Sequence, residues 1–146
     1  MATGEGFAGW AKKAWKEGRF VDCADFYRRS AEVFDANGDF MKGAHAARHQ
    51  AEALLKAGDP AAAGDCILEV VRFYRGQEVG RLELANTLRV AGLTEEGCGH
   101  VDEARAFWGE ARELYVAEGI DAGVAEAELR LKVLGGSSKA REMGRR

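Results

Sequence analysis

Cys23-Ala24-Asp25-Phe26-Tyr27-Arg28-Arg29-Ser30-Ala31-Glu32-Val33-Phe34 is the stretch whose reading decides the fold. Ala24, Tyr27, Ala31 and Phe34 fall at i, i+3, i+7 and i+10, one face of an α-helix. The face returns 40 residues later as Gly64, Ile67, Val71 and Tyr74, and after a further 40 as Ala104, Phe107, Ala111 and Leu114. Small and large side chains alternate along it. A small residue lets a neighbouring helix approach, and the larger one fills the next gap.

Each repeated helix has a companion with the same kind of spacing. Ala44, Ala47, Ala51 and Leu54 mark one, Leu84, Ala85, Leu88 and Ala91 the next, and Val124, Ala127, Leu131 and Leu134 the last. Breaks carry turn chemistry at Gly18, Gly38-Asp39, Gly58-Asp59-Pro60 and Gly119-Ile120-Asp121. Asp59 suits an N-cap with Pro60 in the first helical position. The pattern predicts seven helices, roughly 5–17, 19–37, 40–57, 60–76, 78–91, 100–118 and 121–134. The segment 92–99 (GLTEEGCG) reads as a mobile loop, and 135–146 (GGSSKAREMGRR) as a basic, flexible tail. A helix pair cannot bury both of its apolar faces alone. Residues 1–134 are therefore expected to form an all-α domain, a right-handed α-solenoid of stacked antiparallel helix pairs with a concave inner face.

These residues also carry a family resemblance. The segment 23–34, continued through Gly38-Asp39-Phe40-Met41-Lys42-Gly43-Ala44, Ala51-Glu52-Ala53-Leu54-Leu55 and Ala61-Ala62-Ala63-Gly64-Asp65-Cys66, resembles a tetratricopeptide-like unit. The shorter tetratricopeptide repeat has a period of about 34. Units of 40 with longer helices are closer to the soluble NSF attachment protein (SNAP) type, best over 18–78 and again over 101–134. The resemblance implies a curved helical scaffold that binds other proteins. It also implies an alternative, a membrane-trafficking adaptor that touches membranes through a hydrophobic N-terminal element.

Composition narrows the function classes. Hydrophobic residues make up 47% and charged residues 31%, which is globular and not membrane-spanning. A formal net charge of -3 gives no electrostatic footprint for nucleic acid. Cys23, Cys66 and Cys98 form no Cys-x-x-Cys pair, so a reducing compartment fits better than a disulfide framework. Met1 to Gly6 is small and polar with no apolar stretch behind it, and no apolar run approaches the roughly 20 residues that cross a bilayer. The expectation is a cytoplasmic protein.

Candidate sites follow from the helical map. In the first helix Phe7, Trp10, Ala11, Ala14 and Trp15 share a stripe opposite Lys12, Lys13 and Lys16. This suits a cap over the end of the stack, or a contact with a membrane or partner through Phe7, Trp10 and Trp15. His45, His49 and Glu52 share one face of a helix at i, i+4 and i+7. That spacing can chelate a metal, but no fourth ligand accompanies it and the set reads as groove lining. Arg48, Asn86, Arg89 and Arg130 supply directed donors on inner helices, suited to a peptide partner. Cys98-Gly99-His100 could pair a thiol with an imidazole, but lacks a third, orienting group. The pairs Phe26-Tyr27, Phe73-Tyr74 and Phe107-Trp108 keep the register of the repeat and read as core. No Gly-rich phosphate loop or Gly-x-Ser-x-Gly occurs. The chain therefore reads as a non-enzymatic scaffold without a cofactor, gripping a protein or peptide through His45, Arg48, His49, Glu52, Asn86, Arg89 and Arg130. A small metal or thiol enzyme is the remote alternative. Leu129 and Val133 on the last helix are candidates for contact with a second copy.

Overall fold

The computed structural model describes residues 2–78 and 80–144, with side chains as far as 135. Among the described residues it is all-helical: α1 (Gly4–Lys16), α2 (Phe20–Ala36), α3 (Phe40–Lys56), α4 (Pro60–Arg75), α5 (Arg81–Gly97), α6 (Val101–Glu118) and α7 (Asp121–Gly144). Two compact units divide the chain, Met1–Gly76 with α1 to α4 and Gln77–Arg146 with α5 to α7. Within each unit every helix packs on the next in sequence. Among the described residues, no helix is long and apolar enough to cross a membrane. In backbone, α7 continues through the segment expected as a flexible tail as far as Gly144, ten residues past the expected helix end at 134, and residues 145–146 lie outside the described residues.

One corner design recurs. Helices start at residues 20, 40 and 60, then at 81, 101 and 121. Gly18, Gly38, Gly58, Gly99 and Gly119 each stand just past a helix end, with φ between +70° and +84°. At each, the amide of the following residue reaches back five positions. Arg19 donates to Ala14 O, Asp39 to Phe34 O, Asp59 to Leu54 O, His100 to Glu95 O and Ile120 to Tyr115 O, at 2.8–2.9 Å. This is the Schellman closure, and its left-handed residue favours glycine because a Cβ would be strained there. Two helix starts have side-chain caps: Thr3 Oγ1 accepts from Gly6 N at 2.9 Å, and Asp59 Oδ1 accepts from Ala62 N at 3.1 Å, ahead of Pro60.

The first unit buries Ala11 and Ala14 of α1, Cys23, Ala24, Tyr27, Ala31 and Phe34 of α2, and Ala46 and Ala53 of α3. Alanines dominate where axes run close. Gly4 abuts the Phe34 ring, and buried Ser30 donates to Gly4 O at 2.7 Å, fastening α2 to α1. The core of the second unit centres on Trp108, which is 0% exposed, with Ala104, Ala127 and Leu134.

Two sequence expectations need correction. The loop at 92–99 is helical as far as Gly97, so only Cys98–His100 make the turn. Gly92 is not a breaker. It is a mid-helix gap that admits Trp108, because a Cβ there would stand 2.7 Å from the indole Nε1. The repeated face also slips by one in α6. Ala104 and Ala111 are buried as expected, but Trp108 and Tyr115 occupy the buried positions assigned to Phe107 and Leu114. Gly92 of α5 and Gly123 of α7 make room for those two rings.

Candidate functional site

The sequence-predicted residues are split between the two units. On α3, His45, Arg48, His49 and Glu52 are brought together. Arg48 is buried and does not line an open surface. Its Nη2 lies 3.2 Å from His45 Nδ1, and its Nη1 lies 3.7 Å from Glu52 Oε1. Arginine only donates, so His45 Nδ1 accepts and the His45 proton sits on Nε2. That nitrogen is 3.1 Å from His49 Nε2, which must accept in turn. The His49 proton is left on Nδ1, facing Glu52 Oε2 at 3.8 Å. The chain of donors thus runs Arg48, His45, His49, and points at the Glu52 carboxylate.

Tyr27 of α2 stacks on His49, with ring centroids 5.2 Å apart and planes at 23°. Burial, with the charges of Arg48, His45 and Lys12 adding to it, holds the His49 imidazole down at about 4, so it is neutral near pH 7. Burial pushes the Tyr27 phenol up to about 12. The two rings border a recess of about 350 Å³ that is also lined by Lys12, Trp15 and Lys16 of α1 and by Glu52. Among the described residues, no group of three or more His, Cys, Asp or Glu side chains is placed to hold a metal ion.

In the second unit, the donors expected to face a groove are committed to the fold. Arg89 of α5 pairs with Glu126 of α7, and Arg130 of α7 pairs with Glu96 of α5. Glu96 also accepts from Trp108 Nε1 at 2.7 Å. Asn86 accepts from Tyr115 Oη at 2.7 Å. These contacts lash α5, α6 and α7 together. The Cys98-Gly99-His100 turn does not form a thiol–imidazole pair: His100 Nδ1 lies 2.7 Å from Glu95 Oε2. The other thiols are poor nucleophiles. Burial raises Cys23, and burial with nearby Glu69 raises Cys66 to about 11.

The aromatic stripe of α1 is mostly outside the core. Trp10 is 58% exposed, with its edge on Phe26 at 5.6 Å, and Trp15 meets Phe20 at 5.1 Å. Phe7 lies against Trp10 and under the Arg29 guanidinium. Leu129 and Val133 are exposed on α7.

A larger cavity, about 460 Å³, was not foreseen. It lies across α3, where Gly43, Ala44 and Ala47 leave a shallow floor beside exposed Phe40. Its sides come from Ala31, Glu32 and Asp35 of α2 and from Glu69, Val70 and Phe73 of α4. The sequence signal for it is the run of small residues 43–47, broken only by His45, whose pattern equally suits close helix contact. Part of that run does serve contact, since Cys66 Sγ donates to Ala47 O at 3.2 Å. Comparison with family models, curated proteins and solved structures finds no match.

Proposed function

We propose that this chain is a protein-interaction scaffold of the helical-repeat type, an α-solenoid in the manner of SNAP-like proteins, which seats a segment of a partner in a groove of its first unit. The observation that carries the reading is the open cavity over α3. Small side chains form its floor, helices α2 and α4 supply its sides, and its volume falls in the roughly 300–1,000 Å³ range of ligand-binding recesses. Grooves between helices accept amphipathic helices or extended peptides through a few apolar anchors. The donors of Arg89 and Arg130 are held in ion pairs, so the grip is assigned to the α3 groove and not to them.

The test is affinity capture with the full chain and an Ala47→Trp variant, whose indole would fill the floor. The same cell lysate passes over both, and the bound proteins are compared by quantitative mass spectrometry. The reading expects a subset lost from Ala47→Trp. Identical sets end it.

A second reading has its own observation. Trp10 is largely exposed beside Lys12 and Lys13 on a helix with a hydrophobic stripe, the composition of an interfacial membrane contact. Flotation with anionic liposomes, wild type against a Trp10→Ala, Trp15→Ala variant, decides it. If the wild type does not float, the membrane adaptor reading is removed.

A further inference from the structure

The charge around the α3 groove specifies its occupant. Four charged side chains line it: Arg28, Glu32, Asp35 and Glu69. Arg28 and Glu32 are joined at 2.7 Å, and Arg28 also bonds Asp25 at 2.7 Å, so the single cation is already shared between two carboxylates of its own helix. The carboxylates of Asp35 on α2 and Glu69 on α4 enter no ion pair or hydrogen bond among the described residues. They stand on opposite walls, with the apolar floor between them. The Asp35 carboxylate lies close against α3, since a Cβ on Gly43 would collide with it, and desolvation raises its proton affinity. Two unbalanced carboxylates flanking apolar surface attract a cationic side chain and repel an anionic one, and complementarity of this kind selects partners. Phe40, 56% exposed at the start of α3, and Phe73 on α4 add apolar surface to the same cavity.

We infer that the α3 groove binds a basic segment of a partner protein, with an apolar anchor over Gly43, Ala44 and Ala47 and a lysine or arginine reaching Asp35 and Glu69. This rests on the scaffold reading and names its partner class. The anchor supplies burial, and the cation supplies direction and register. The recess takes a few side chains of the segment, beside Phe40 and Met41, which are exposed in the first turn of α3.

The experiment is selection from a phage-displayed library of random peptides against the full chain. The strongest binders are resynthesised with a fluorescein label and titrated by anisotropy at low and high salt. Wild type is compared with Glu69→Lys, with Asp35→Asn as a milder second variant, and with Glu103→Lys as an equal charge change at an exposed residue of α6 outside the groove. Circular dichroism verifies that each variant is folded. The expected binders are rich in Lys or Arg with one large apolar residue. Their affinity falls at least about tenfold with Glu69→Lys, less with Asp35→Asn, and by no more than a general charge effect with Glu103→Lys. Binders without basic enrichment, or equal losses with Glu69→Lys and Glu103→Lys, overturn the inference. The scaffold reading survives that result if Ala47→Trp still abolishes their binding. If the library yields no binder at all, both fall together.

Discussion

Replacing Gly92 with alanine is the sharpest test of the second unit, because two physical effects oppose each other there. In an exposed helix interior the change gains about 1 kcal/mol, since alanine loses less backbone entropy than glycine. At Gly92, however, the new Cβ would stand 2.7 Å from Trp108 Nε1 and 2.9 Å from two of its ring carbons. Trp108 is completely buried, so the ring cannot swing into solvent. Overpacking of this kind costs about 1–3 kcal/mol. Any tilt of the indole also weakens its 2.7 Å bond to Glu96, of a charged class that contributes about 1.5–3 kcal/mol. Steric cost wins, and Gly92→Ala is expected to destabilise by about 2 kcal/mol net. Urea unfolding followed by far-UV circular dichroism should place its midpoint about 1 M lower. Gly109 is the control, a mid-α6 glycine whose added Cβ meets nothing within 4 Å. Gly109→Ala should raise the midpoint by the amount helix propensity allows, up to about 1 kcal/mol. If Gly92→Ala matches or exceeds Gly109→Ala, Trp108 does not lie on Gly92 and the packing of α5 on α6 described above is wrong.

Other outcomes follow from the same contacts. Tyr115→Phe removes the donor to Asn86 and should cost about 0.5–1.5 kcal/mol, read as a lower urea midpoint; an unchanged midpoint would refute the bond's contribution. His49 is held neutral down to about 4, whereas the unfolded chain takes up its proton near 6.5. The unfolded state therefore binds more protons between those values, and acidification across that window destabilises the fold by at most about 3 kcal/mol, less the screening due to its partial exposure. In His49→Gln the loss over the same window should be shallower, and parallel curves would refute the assignment. Thiol titration of the native protein at pH 8 should show Cys23 and Cys66 reacting far more slowly than in urea, since burial raises both thiols; equal rates would contradict the packing of α2 and α4.

The helices were legible in the sequence because the apolar columns at 24, 27, 31 and 34 and at 64, 67, 71 and 74 report burial directly, and the turn glycines punctuate them. The loop reading at 92–99 failed because glycine carries two meanings. Gly99 ends a helix through a positive φ, while Gly92 sits inside one to receive a ring. Only the position of Trp108 in space separates the two. The shift from Phe107 to Trp108 has the same origin, since both residues suit an apolar face and the hollow opposite decides between them. Arg48, Arg89 and Arg130 were visible as directed donors, but their partners Glu52, Glu126 and Glu96 lie 4, 37 and 34 residues away. A helical map cannot tell a donor spent within the fold from one offered outward. The α3 groove escaped notice because absent side-chain volume leaves no signature distinct from close packing.

The five matched corners bear on how such a chain tolerates splicing. Each closes on carbonyls of the rod it terminates, and its last residue accepts one amide of the rod that follows. A cut placed just after Gly38 and rejoined just after Gly58 would excise one rod and leave every surviving end properly finished. The corners therefore make about twenty residues the unit of any change in length, provided the packing lost with Ala46 and Ala53 is rebuilt, whereas an insertion of one or two within a rod would rotate its buried stripe by about 100–200°.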